Sequence, residues 1–239
     1  VIRFVEPGEI PDTYNILLYG PSGSGKSTAA ASAPGPILYL NADGPDALRY
    51  PRQLYDNETL REVAVTDGQV LNEALIMLRN GAGFGTVVLD TFSAIYTVLL
   101  EEKAKGGRPT LPQYGDVGTA MERFVREVRD LPYHFVVLCQ EFSVKDETTG
   151  VIERLPYTGT NNPALGTKVI EAMTIVGYCG RVAAQEGSTA KYMATLVDVP
   201  GRRGKDRTDA LGTARELNLT EWVATAAGGP GTEEMEAAA

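Results

Sequence analysis

Apolar and polar positions along the chain follow two different periods. Continuous apolar runs at 15–19, 37–40, 86–90 and 135–139 are short, rich in β-branched residues and bounded by Gly, Asn or Asp. They predict strands buried on both faces. Between them the spacing becomes helical. Val70, Leu71, Leu75 and Leu78 predict a helix over 69–79, and Ile95, Val98 and Leu99 one over 93–105. Met121, Phe124, Val125 and Val128 predict an amphipathic helix over 119–131, with Arg123, Arg126 and Arg129 on its other faces. A helix over 45–54 and a short strand over 62–65 fill the remaining gap, and 106–118 reads as a loop. From 142 to 168 the chain turns polar and rich in Gly, Thr and Asn, with Thr148-Thr149-Gly150 placed to turn a hairpin. Strand candidates at 173–182 and 191–199, separated by Gln185-Glu186-Gly187-Ser188, read as an antiparallel extension. The pattern predicts an α/β fold: a mostly parallel central sheet with antiparallel edge strands and helices on both faces.

Three stretches follow: a lead-in over 1–13 broken by Pro7, Gly8 and Pro11, a core over 14–225, and a disordered acidic tail over 226–239. The 239 residues suffice for one large domain, and 43% hydrophobic with 22% charged content is that of a soluble globular protein. No apolar run approaches the ~20 residues of a membrane span. Cys139 and Cys179 lie in strand-like runs and read as reduced core residues, which suits a cytoplasmic protein. His134 is the only histidine, against His-based zinc chemistry. A net charge of −9 disfavours nucleic-acid binding by the whole surface and leaves room for a local basic patch.

One segment carries chemistry by itself. Gly20-Pro21-Ser22-Gly23-Ser24-Gly25-Lys26-Ser27-Thr28 fits G-x-x-x-x-G-K-[ST] at every position, directly after a strand run and opening a helix. Its glycines let successive N–H groups point at phosphate oxygens. Lys26 can reach the β- and γ-phosphates, and the Ser27 hydroxyl can ligate Mg²⁺. The segment predicts binding of a nucleoside triphosphate with Mg²⁺, ATP being the expected one. Hydrolysis also needs a carboxylate at a strand end beside the loop, and Asp90 ends the most β-like run downstream. Thr91 rather than Glu follows it, and no Leu-Ser-Gly-Gly-Gln segment is present. Both facts weaken ring-ATPase and ABC-type readings.

The order of these features resembles the RecA-like P-loop ATPases, in particular the short RecA-core proteins of bacteriophages, over residues 14–225. In that family the second core strand ends in a catalytic carboxylate, matched by Asp43 in Leu40-Asn41-Ala42-Asp43-Gly44. An Asp-Ser/Thr pair ends a later strand, matched by Asp90-Thr91. A polar sensor ends the next strand and leads into a DNA-binding loop, matched by Gln140 and the segment from Phe142 to Lys168. Tyr50 stands where the family places an adenine-stacking aromatic. Leu111-Pro112-Gln113-Tyr114-Gly115-Asp116-Val117 and Gly204-Lys205-Asp206-Arg207 also fit the group. The family usually has Glu where Asp43 stands. Asp is one methylene shorter, so hydrolysis is expected to be slow or to draw on Glu141.

The resemblance implies a DNA-dependent ATPase acting on single-stranded DNA in phage recombination, replication or repair, as a homo-oligomeric ring or filament and away from membranes. Cations and aromatics suited to a single strand are Arg108 and Tyr114 in one loop, and Lys145, Arg154, Tyr157 and Lys168 in the other, where Asp146, Glu147 and Glu153 dilute the charge. The resemblance makes Lys205 and Arg207 fingers toward a neighbouring subunit's γ-phosphate; a DNA-phosphate patch or a solvated loop are the other readings of that segment. Three further functions stay open: a helicase or translocase ring, with or without a nuclease activity built on Asp43, Asp90 and Glu141; a small-molecule kinase with residues 202–207 as its lid; and a nucleotide-switched scaffold.

Overall fold

A computed structural model describes residues 12–55, 59–145, 147–148, 150–182 and 191–228. Its strands form one sheet. The first five are β1 (Asn15–Gly20), β2 (Ile37–Asn41), β3 (Leu60–Ala64), β4 (Thr86–Asp90) and β5 (His134–Lys145). They are followed by β6 (Ile152–Tyr157), β7 (Ile175–Val182), β8 (Lys191–Thr195), β9 (Lys205–Asp206) and β10 (Ala214–Glu216). The order is β10-β8-β7-β1-β5-β4-β2-β3, with β6 on β5 and β9 on β7. Every pairing from β7 through β3 is parallel, whereas β6, β8, β9 and β10 pair antiparallel.

Strand periodicity assigns the two faces. Leu17, Tyr19, Leu38, Leu40, Val87, Leu89, Phe135, Val137 and Cys139 point to one side. There they meet α3 (Gly68–Arg79), α4 (Phe92–Ala104), α5 (Leu111–Arg129) and α6 (Pro163–Ala172). Ile16, Leu18, Ile37, Tyr39, Val88, Val136 and Leu138 point to the other, against α1 (Lys26–Ala31) and α7 (Leu219–Gly228), whose Trp222 is wholly buried. Apolar burial on both faces explains why the central strands read as continuous apolar runs. Strand β5 lies between β1 and β4, so its carboxyl end separates the phosphate loop from Asp90.

Four expectations change. The helix expected over 45–54 is a 3-10 turn, Pro45–Leu48, followed by α2 (Pro51–Leu54). Helix α5 begins at Leu111, inside the expected loop: Thr110 and Gln113 form a reciprocal capping box, and Pro112 fits the first turn. The polar stretch after residue 142 is not a loop. β5 runs on to Lys145, β6 returns beside it, and α6 follows, capped by Asn162 with Pro163 at its first turn. Finally, α7 runs through Gly228, so the expected tail starts inside a helix; its residues 229–239, the lead-in through residue 11, and Asp146 lie outside the described residues. Cys139 and Cys179 are free and buried, as expected.

Candidate nucleotide and metal site

The phosphate loop is shaped by close backbone approach. Gly20 ends β1 at φ 152°, and a Cβ there would lie 2.4 Å from the Cys179 carbonyl oxygen on β7. Gly25 sits at φ 87°, with a Cβ position 2.9 Å from the Tyr192 ring. The loop between them encloses Lys26, whose Nζ donates to the carbonyls of Gly20 at 3.0 Å and Pro21 at 2.8 Å and to Ser24 Oγ at 3.3 Å. Burial lowers the Lys26 pKa, opposed by surrounding groups that include Asp90. An ammonium held on loop carbonyls is placed to exchange them for phosphate oxygens.

Asp90 ends β4 on the α1 face, two residues beyond Val88, and is 1% exposed. Ser27 donates to its Oδ2 at 2.9 Å, and the Tyr39 hydroxyl donates to the same oxygen. Tyr39 arrives there because β2 pairs with β4 in a register that sets Asn41 opposite Asp90, one strand period along. Burial raises the Asp90 pKa; the Tyr39 and Ser27 hydrogen bonds pull it back, and the Asp43 charge pushes it up again. Oδ1 is buried without a partner. A hydroxyl and an unpartnered carboxylate oxygen, both hard donors at the foot of the phosphate loop, fit Mg²⁺ held directly or through water. The Asp90–Thr91 peptide is cis.

A cavity of about 370 Å³ joins the loop to Asp43, Tyr50, Asp90, Gln140, Tyr192 and Leu217. Gln140 faces it because it shares the α1 face with Val136 and Leu138. The structure thus brings together Gly25, Lys26, Ser27, Thr28, Asp43, Tyr50, Asp90 and Gln140. Tyr192 and Leu217 were not legible as site residues. They belong to the antiparallel edge and are linked by a hydrogen bond from Leu217 N–H to the Tyr192 carbonyl at 3.0 Å.

Glu141 is placed elsewhere. One residue past Gln140 it falls on the opposite face, where the Tyr178 hydroxyl donates to it at 2.8 Å and Arg154 lies 4.0 Å away. It does not line the cavity, which corrects its assignment as a stand-in for Asp43. The nuclease trio of Asp43, Asp90 and Glu141 does not converge; among the described residues no three metal-ligating side chains do.

The expected DNA-contacting residues divide. Tyr114 and Lys168 lie on helices rather than loops. With Tyr157 they border a second cavity of about 750 Å³ between α5, α6 and the segment after β6. Lys168 there pairs with Glu122 at 2.7 Å. Arg108 is exposed between α4 and α5, Lys145 is exposed at the end of β5, and Arg154 faces Glu141. Lys205 donates to the carbonyls of Ile170 at 2.8 Å and Glu171 at 3.3 Å, at the C-terminal end of α6; Arg207 reaches the Glu171 carbonyl at 3.4 Å. Both therefore cap a helix of their own chain in this structure. Burial and the Arg207 charge lower the Lys205 pKa to about 8.

The family described as AAA domain matches residues 12–208. None of the curated proteins matches the sequence. Among solved structures, the chain is similar to a KaiC-like protein from Pyrococcus horikoshii OT3, at 12% identity and a TM-score of 0.42, over 79% of this chain and 80% of that one. It is also similar to the flagellar accessory protein FlaH from Methanocaldococcus jannaschii, at 13% identity and a TM-score of 0.42, over 81% of this chain and 82% of that one. Among the described residues no helix is long and apolar enough to cross a membrane.

Proposed function

Since the chain belongs to the AAA domain family, we propose that this RecA-like P-loop ATPase hydrolyses ATP with Mg²⁺ and couples it to single-stranded DNA, in recombination, replication or repair. The observation that carries the reading is the Ser27–Asp90 hydrogen bond at 2.9 Å, which sets both magnesium-side oxygens at the foot of the phosphate loop and leaves Asp90 Oδ1 unpartnered. Bound Mg²⁺ supplies neutralisation of charge developing on the β- and γ-phosphate oxygens. Lys26 trades its three loop contacts for phosphate oxygens. The loop glycines hold backbone N–H groups on the phosphates. Asp43, on the rim and near enough for Asp90 to feel its charge, orients the attacking water. Gln140 reads the γ-phosphate position from the strand between the loop and Asp90.

Support for DNA is the second cavity, bordered by Tyr114, Tyr157 and Lys168, an aromatic and cationic set suited to a single strand once Lys168 exchanges Glu122 for a phosphate. ATP hydrolysis by the full chain with and without single-stranded DNA, at low and moderate salt, tests the reading. Stimulation that weakens with salt is expected, and Lys26→Ala abolishes turnover. Turnover on a small phosphate acceptor without any DNA response would make the protein a kinase instead.

A further inference from the structure

Asp43 sits on an exposed turn, yet a catalytic carboxylate must be held to within about 1 Å. The structure shows what holds it. Asn41, at the end of β2, is 3% exposed. Its Oδ1 accepts the Asp43 backbone N–H at 2.8 Å. Its Nδ2 donates to the Gly44 carbonyl at 2.8 Å and to Glu62 Oε1 at 2.7 Å. Both N–H donors and the oxygen of this amide are thus engaged, two of the three bonds folding residues 41–44 back over the cavity and the third anchoring them to β3. Gly44, at φ 90°, supplies the reversal that an L side chain would strain. Glu62 lies on β3, opposite Tyr39 in the β2 register. Its second oxygen, Oε2, accepts from Arg52, which lies in α2 two residues beyond Tyr50.

We propose that Asn41 and Glu62 are positioning residues for Asp43, and that Glu62, shared between Asn41 and Arg52, ties the turn bearing the water-orienting carboxylate to the segment bearing Tyr50. Both ends of the tie line the same cavity. Seating of a nucleobase against Tyr50 is then sensed at Asp43 through one carboxylate rather than through the phosphate loop. The inference rests on the ATPase reading and on the role of Asp43 in it.

Steady-state hydrolysis by the full chain, together with the Kd of a fluorescent ATP analogue, tests it. Glu62→Ala is expected to lower kcat on the order of 10-fold or more while the analogue's Kd stays within about threefold; an effect on stability alone moves neither. Glu62→Gln keeps an oxygen for Asn41 and restores most of the lost kcat. In an Asp43→Ala background, Glu62→Ala adds no further loss, because the two act as a unit. Should Glu62→Ala fail to fold, Arg52→Ala, at an exposed position, cuts the tie from Glu62 to the Tyr50 segment and serves in the same cycle. An unchanged kcat in Glu62→Ala, or an equal loss with and without Asp43, overturns the inference and leaves the ATPase reading intact. An unchanged kcat in Asp43→Ala itself removes Asp43 from the mechanism and the inference with it.

Discussion

Asp90 is a carboxylate that must stay ionised while 1% exposed. Burial raises its pKa, and the Tyr39 and Ser27 hydroxyls oppose that rise. Binding of Mg²⁺ at Asp90 therefore falls as pH drops and the carboxylate protonates, and hydrolysis falls with it. Stability moves the other way: between the unfolded and folded pKa the native state binds more protons, so this group's contribution is lost as pH rises through that window. Tyr39→Phe removes one donor to the carboxylate. The acid limb of kcat against pH is expected to shift to higher pH, and an unmoved limb would show that Tyr39 only fills space. Lys26 and Ser27 were legible because each sits at a fixed offset within one local motif, and Asp90 because it ends the most β-like run downstream. Tyr39 was not, because two residues before the end of β2 it reads as any apolar strand residue, and only the register with β4 brings its hydroxyl to Asp90. Glu141 was misread for a related reason: adjacency to Gln140 in a strand means opposite faces.

Helix α5 shows where pattern reading at the level of elements runs out. Gly115 and Gly118 read as loop residues, since each costs a helix about 1 kcal/mol relative to Ala. The capping box at Thr110 and Gln113, with Pro112 in the first turn, starts the helix before them. Among the described residues nothing outside its own helix lies within 4 Å of the position a Cβ at Gly115 would take. Gly115→Ala is expected to stabilise the fold by about 0.5–1 kcal/mol, read as a rise in Tm of roughly 1–4 °C. Because Gly115 borders the 750 Å³ cavity, the same change is expected to reduce DNA stimulation of the ATPase. Stabilisation with undiminished stimulation would remove that cavity from the DNA path. The parallel core was legible from its four apolar runs. The β5–β6 hairpin was legible only as its turn signal at 148–150; the extent of its two strands and α6 were hidden by polar composition, and their order comes from pairing on β5 and packing on α5 rather than from local preference.

At the scale of the whole molecule, Lys205 and Arg207 link the antiparallel edge to α6. Lys205→Ala leaves two carbonyls of α6 without this donor, at a cost on the order of 1 kcal/mol. If Lys205 also serves a neighbouring subunit, as the RecA-like resemblance implies, the substitution lowers hydrolysis with nucleotide affinity held, and parent specific activity rises with protein concentration. Full activity in a monomer would leave Lys205 as a helix cap alone. The twelve residues of β5 connect these scales. Gln140 stands at the nucleotide cavity in mid-strand, and the strand continues unbroken to Lys145, a reach of about 17 Å at strand rise. With β6 bonded along that whole reach, the pair has the geometry of a lever arm: a tilt of about 4° at Gln140 would carry the far end of β5 through roughly an ångström, a displacement set by the strand's length alone.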